Sequence, residues 1–146
     1  MTRLVAREIA VQIIFGSEMS DLSAVDYSND FLSKDRFEAL RSENDLYLVF
    51  PDKKSLKYIM DIVSAYNDNK CFIDSIISKY AKGWKLNRIS STALAVMRVA
   101  VCEMLYIEDV PNAVAINSAV EIDKKYDDAD VVSFVNGVLG SVADNI

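Results

Sequence analysis

Only four glycines and two prolines stand in a chain of 146 residues, and no other feature narrows the choice of fold as much. Folds made of many short strands need turn residues at frequent intervals, so a chain this poor in them has to run in long helices. Hydrophobic residues make up 51% and charged residues 26%, enough apolar material to bury a core within one domain. An all-α fold follows, and disorder as the default state is excluded.

Apolar spacing divides the chain. Val5, Ala6, Ile9, Ala10, Ile13 and Ile14 recur at steps of three and four, which predicts a helix over about Arg3–Glu18 with Thr2 as its N-cap. A weaker helical piece follows over Ser23–Leu32. Residues 33–50 mix charge with the run Leu46–Phe50, and periodicity does not assign them a conformation. Pro51 suits a first helical position, after which Leu56, Ile59, Met60, Ile62 and Val63 form an amphipathic stripe. Phe72, Ile73, Ile76, Ile77 and Tyr80 resume it beyond Asn67-Asp68-Asn69, as one helix or two, stopping at Gly83. Ser90 caps a run from Ala93 to Leu105 that is apolar enough to be central. A further helix over Val114–Ile122 and a last one carrying Val135, Val138, Leu139 and Val142 complete a compact bundle of about seven helices.

Chemistry is limited by what is missing. With no histidine, the commonest general base, the Ser and Cys dyads and most transition-metal sites are excluded. An enzyme is not expected. Asp127, Asp128 and Asp130 fail as a calcium loop, since Ala129 and Val131 stand at ligand positions and Val138 where a glutamate is required. No metal or cofactor is expected, and the acids read as a solvated loop that caps the last helix. Cys71 and Cys102 stand alone in helical patterns and read as buried small hydrophobes in a reducing compartment. The charged start and the absence of a long uncharged apolar run give neither a signal peptide nor a membrane span, so the expected location is cytoplasmic, with no membrane partner.

A net charge of −6 opposes nucleic-acid binding, but the charge is unevenly spread. Residues 89–146 carry three cations against nine acids, whereas no acid at all lies between Asp74 and Glu103, where Lys79, Lys82, Lys85, Arg88 and Arg98 fall. Arg3 and Arg7, four apart, project from one side of the first helix near its N-terminus, either as phosphate ligands or as solvated charges. Phe15 lies on a similar bearing. Phe134 with Asn136 near a helix start could stack on and hydrogen-bond an unpaired base, or pack and cap.

Three groups of residues carry a resemblance. The opening Arg3-x-x-Ala6-Arg7-Glu8-x-Ala10-x-Gln12-x-x-Phe15 is the first. Trp84-x-Leu86-x-Arg88-Ile89-Ser90, with Met97-Arg98-x-Ala100-x-x-Glu103-Met104-Leu105, is the second. The third, and most specific, is Val110-Pro111-x-x-Val114-Ala115-Ile116-Asn117-x-Ala119-Val120-Glu121 followed by Phe134-Val135-Asn136-Gly137-Val138-Leu139. In this order they resemble the family of the transcription antitermination factor NusB. The resemblance implies a single domain over residues 1–146, with two small helical subdomains sharing one core. It also implies a job: binding a single-stranded boxA element of ribosomal RNA leader transcripts together with the ribosomal protein NusE, in an RNA polymerase antitermination complex. Arg3 and Arg7 would then meet phosphates, Phe15 and Phe134 would face bases, and Asp130 and Ser133 would lie at the RNA edge. Arg98, Asn117 and Asn136 would be structural hydrogen-bonders. A basic NusE would be drawn to the acidic C-terminal part, with Glu108 and Asp109 as its exposed rim. The sequence departs from the family where Leu4 and Val5 replace arginines and where Asp123 replaces the usual alanine. A module that keeps the fold for protein interaction with little RNA affinity is the alternative, and a homodimer stays open.

Overall fold

Seven α-helices and no strand make up the computed structural model, which describes residues 1–146: α1 Arg3–Glu18, α2 Ala24–Phe31, α3 Lys34–Ala39, α4 Lys53–Tyr80, α5 Ser91–Tyr106, α6 Asn112–Asp123 and α7 Ala129–Asn145. Most begin where a short polar side chain can satisfy a free N–H group. Thr2, Ser23, Ser33, Ser90 and Asp128 accept from the amides of Val5, Asp26, Arg36, Ala93 and Val131. α1 and its cap match the periodicity, and the acidic loop does cap the last helix.

Pro51 is not the first residue of its helix. It is buried two residues upstream, and Asp52 in extended conformation is the N-cap position of α4. The choice between one helix and two resolves into a single 28-residue helix, kinked at Asn69 (φ −129°, ψ 20°), whose side-chain amide donates to the Ala65 carbonyl. The helix ends at Tyr80, and Gly83 takes the left-handed turn that follows, at φ +80°. Residues 33–50 form α3 and two 3₁₀ turns, Leu40–Ser42 and Asp45–Tyr47. What orders them is tertiary: the rings of Phe31, Phe37, Tyr47 and Phe50 meet edge to face at centroid distances of 5.2 to 6.3 Å.

One continuous apolar cluster runs from Ala6 to Val142, and α5 is its axis. Every residue of α5 from Ala93 to Glu103 is buried, because α1, α4, α6 and α7 pack around it. α1 and α2 approach closely at Gly16, where a Cβ would lie 2.1 Å from the Tyr27 hydroxyl. No helix is long and apolar enough to cross a membrane. The cysteines differ from each other: Cys102 is buried, and burial pushes its thiol up to about 12, whereas Cys71 is exposed on the outer side of α4. The expectation of two buried cysteines therefore holds only for Cys102.

Candidate nucleic-acid interface

Arg7 and Arg3 share one side of α1 but have different fates one turn apart. Arg7 is buried, its Nε donating to both carboxylate oxygens of Glu103 at 2.9 Å and its Nη1 to the Ser118 hydroxyl at 3.0 Å. The Tyr58 hydroxyl donates to the same Glu103 carboxylate, and burial beside that charge pushes the phenol well above its ordinary range. Arg7 thus ties α1 to α4, α5 and α6, and its guanidinium is committed inside the fold. This departs from the expectation that it meets phosphate. Arg3, one turn nearer the end, is exposed; its guanidinium lies 3.9 Å from the Tyr58 ring centroid and engages no carboxylate.

The groove beside Arg3 opens between the N-termini of α1 and α4 and the α5–α6 connection, and Asp52, Lys54, Ser55, Asp109 and Pro111 border it. Asp109 and its neighbour Glu108 are both exposed on that connection, so a residue expected at RNA and one expected at a protein partner fall in the same groove.

From this groove α6 runs alongside α1 in the same direction. Glu8 accepts from Lys125 Nζ at 2.8 Å and from the Tyr126 hydroxyl, and Gln12 donates to that hydroxyl at 3.1 Å. Past Tyr126 the chain turns into α7. There Asp127 accepts from the Ser90 hydroxyl at 3.0 Å, which joins the α6–α7 corner to the start of α5. Asp123, at the end of α6, is fully buried and neither carboxylate oxygen has a hydrogen-bond partner. Burial, with the nearby Asp127 carboxylate adding to it, pushes the Asp123 carboxyl up to about 8.

α7 presents the remaining candidates. Asp130 and Ser133 are exposed, and Phe134 is half-buried one turn beyond Asp130. Phe134 and Asp130 border one cavity of about 150 Å³. The structure adds what spacing does not single out: Trp84, 54% exposed, meets Phe134 at 5.6 Å between ring centroids, and Arg88 borders the same cavity. Trp84 and Arg88 stand in the acid-free interval, next to the exposed Lys82 and Lys85, and none of these cations forms an ion pair. That interval is the available signal in the sequence, and its meeting with α7 is the step that spacing lacks.

Phe15 lies elsewhere. It is half-buried against the core and borders a groove with Gln12, Tyr27, Arg36, Leu40 and Tyr47. Arg98, as expected, is structural, with Nε and Nη2 donating to Asp74 at 2.8 and 2.9 Å and Nη1 lying 3.9 Å from the Glu18 carboxylate. Asn117 and Asn136 make no side-chain hydrogen bond, so the tying role expected of them is corrected.

The chain matches the NusB family over residues 4–144. The transcription antitermination protein NusB of Acetivibrio thermocellus is 39% identical over 142 residues, covering 97% of this chain and 88% of that protein. Its counterpart in Clostridium perfringens (strain SM101 / Type A) is 37% identical over 146 residues, covering 100% and 99%. The solved structure of T. maritima NusB is similar with a TM-score of 0.83 at 27% identity, over 99% of this chain and 92% of that one. The fold is shared as well with a chain from the structure of antitermination factors NusB and NusE in complex with dsRNA, at a TM-score of 0.78 and 21% identity, over 99% and 97% of the two chains.

Proposed function

The chain belongs to the NusB family, and from that premise we propose that it is a cytoplasmic transcription antitermination factor that acts by binding, without catalysis. Residues 1–146 form one RNA-binding domain that takes a boxA-like single strand of ribosomal RNA leader transcripts together with the ribosomal protein NusE, within an RNA polymerase antitermination complex. Relatives covered over 88% and 99% of their length carry the antitermination name.

The observation that carries the RNA half of this reading is the exposed Trp84 ring against the half-buried Phe134 ring, beside cations that no carboxylate neutralises. Rings that a base can stack on, next to free Lys and Arg heads for phosphate, are how single strands are held with little dependence on the net charge of the protein. In this arrangement Phe134 faces a base, Asp130 and Ser133 lie at the RNA edge, and Arg3 meets phosphate at the far end of α1. Arg7 holds α1 in place through Glu103. Phe15 lies in its own groove at the other end of α1 and is a base contact only for a strand that reaches it. Glu108 and Asp109 form the acidic rim for NusE.

Fluorescence anisotropy of a labelled boxA-like single strand, with and without NusE, tests this. The strand is expected to bind in preference to a scrambled strand and to its own duplex, and NusE to tighten it. Absence of binding even with NusE present refutes the RNA half. A second reading, a protein-interaction module with little RNA affinity, is favoured by one observation: Arg7 is withdrawn into the fold, which leaves Arg3 as the only exposed arginine of α1. NusE binding unaffected by RNA would establish it.

A further inference from the structure

The corner between α6 and α7 is built around a carboxyl group to which nothing in the fold donates. Asp123 is fully buried, and neither of its oxygens meets a hydrogen-bond donor. Its backbone carbonyl accepts from the amides of Tyr126 and Asp127, at 3.0 and 2.9 Å, so the chain wraps the buried side chain as it turns. A carboxylate buried without donors is unfavourable enough that the group takes up a proton instead. The charged groups of the surrounding elements are committed elsewhere. On α1, Arg7 is held by Glu103, and Glu8 takes both Lys125 and the Tyr126 hydroxyl. Lys124 is exposed and lies 4.0 Å from Glu121, the first turns of α5 from Ser91 to Met97 carry no charge, and Asp128 and Asp130 at the start of α7 are exposed. Asp127 is left as the charged group that acts on Asp123.

Asp127 in turn is tied to α5. Both of its oxygens accept from the Ser90 hydroxyl, at 3.0 and 3.2 Å, and that hydroxyl caps α5 by accepting from the Ala93 amide. The two carboxyl groups lie within hydrogen-bonding reach of each other. We infer that Asp123 and Asp127 share one proton, and that this proton latches the start of α7 to the start of α5. With the proton in place, one run of hydrogen bonds passes from Asp123 to Asp127, to Ser90 and to the Ala93 amide, joining the end of α6 to the first turn of α5. When the proton leaves, two like charges face each other away from water, and the corner opens to solvate them. Asp128, next to Asp127, caps α7, so the opening carries the first turns of α7 with it, and with them the Phe134 ring that meets Trp84. The rise of the Asp123 carboxyl to about 8 sets the sense: the latch is closed on the acid side and opens as pH climbs through that value.

Trp84 is the only tryptophan of the chain, so its emission reports on the contact between α7 and the loop before α5. The experiment takes the full chain, with no ligand, from about pH 6 to about pH 9.5 and reads Trp84 emission together with the carbon-13 resonances of the aspartate carboxyls. The Asp123 and Asp127 resonances are expected to move together with one midpoint near 8, and Trp84 emission to follow the same curve. Asp123→Asn, whose amide donates to Asp127 in place of the proton, should hold the emission at its acid-side value throughout. Asp127→Asn keeps an oxygen for Ser90 but removes the like charge, and should lower the midpoint by about one pH unit. Flat emission in the unaltered chain, or a transition that persists in Asp123→Asn, overturns the inference. So does an unmoved midpoint in Asp127→Asn, because the proton is then not shared. A carboxyl that titrates with no response at Trp84 overturns it as well, because the proton then latches nothing. None of these readouts depends on RNA, so the outcome is separate from that of the RNA-binding reading.

Discussion

Replacing Asp123 with asparagine should change how stability depends on pH in a window where the chain has no histidine to titrate. The carboxyl is fully buried with both oxygens unpartnered, and its pKa is raised to about 8. In the unfolded chain it returns to about 3.9. Between these values the folded protein holds a proton that the unfolded chain has released, so folding is favoured less as pH rises. The slope is up to about 1.4 kcal/mol per pH unit, levelling off above pH 8 once the folded carboxyl ionises as well. Histidine, which would otherwise titrate here, is absent from the chain. The asparagine amide cannot ionise, so the slope should vanish in the variant. Near neutral pH the variant should be more stable by about 1–3 kcal/mol, the ionisation cost removed less the cost of a buried amide whose neighbour is the Asp127 carboxylate. Urea unfolding followed by far-UV circular dichroism at half-unit steps from about pH 5.5 to about pH 7.5 reads both quantities, inside the window set by the two pKa values. Parallel profiles for the two proteins would show that Asp123 is already ionised in the fold, and the reasoning from its burial would be wrong.

Arg7→Ala should cost about 3–5 kcal/mol of stability, since it leaves Glu103 buried and charged with Tyr58 as its remaining partner; a loss below about 1 kcal/mol by urea unfolding would mean the cluster relaxes around it. Arg3→Ala touches only the Tyr58 stack. It should change stability by less than about 1 kcal/mol while lowering the log–log salt slope of RNA binding by about 0.7, and an unchanged slope would remove Arg3 from the RNA path. Phe134→Ala should weaken single-strand binding by about 1–3 kcal/mol with the far-UV spectrum intact, and unaltered affinity would make the ring a packing element. Reversing Glu108 and Asp109 to Lys should slow association with NusE at low salt and leave dissociation nearly unchanged; stopped-flow rates unaltered at two ionic strengths would leave these acids no steering role.

The helices are legible in the sequence because their determinants are local. α1 is bounded by the 3.6-residue spacing of Val5 to Ile14 and by Thr2, both of which act within one turn of the residues they order. The exposure of Cys71 is equally local, although composition alone points the other way: the buried Tyr66, Ile73 and Ile77 of α4 mark the inward stripe, and Cys71, two residues before Ile73, falls on the opposite side. Residues 33–50 are not legible, since edge-to-face rings from four separate short segments hold them and no period in the chain encodes that meeting. Pro51 on its own preference suits a helix start, yet Asp52 beside it serves as the N-cap position and moves that start by two residues.

The candidate site divides along the same line. Arg3 and Arg7 are equivalent in any helical projection, and what separates them is Glu103, 96 residues from Arg7, whose burial on α5 requires a cation that only the inner of the two arginines reaches. Arg98 repeats the pattern with Asp74, so two of the cations that the sequence offers for phosphate neutralise acids within the fold instead. Each such ion pair removes one acid and one base together and leaves the net charge of −6 untouched. What a strand of RNA meets is therefore set by which charges remain unpaired at the surface. Around the Trp84–Phe134 cavity the unpaired cations are Lys82, Lys85 and Arg88, all from the longest interval that carries no acid in the sequence. An interval free of acids offers its own cations no local partner, and such cations stay at the surface unless a distant carboxylate claims them, as Asp74 claims Arg98. That interval, rather than the arginines of α1 or the total charge, is what in the sequence supports the nucleic-acid surface proposed here.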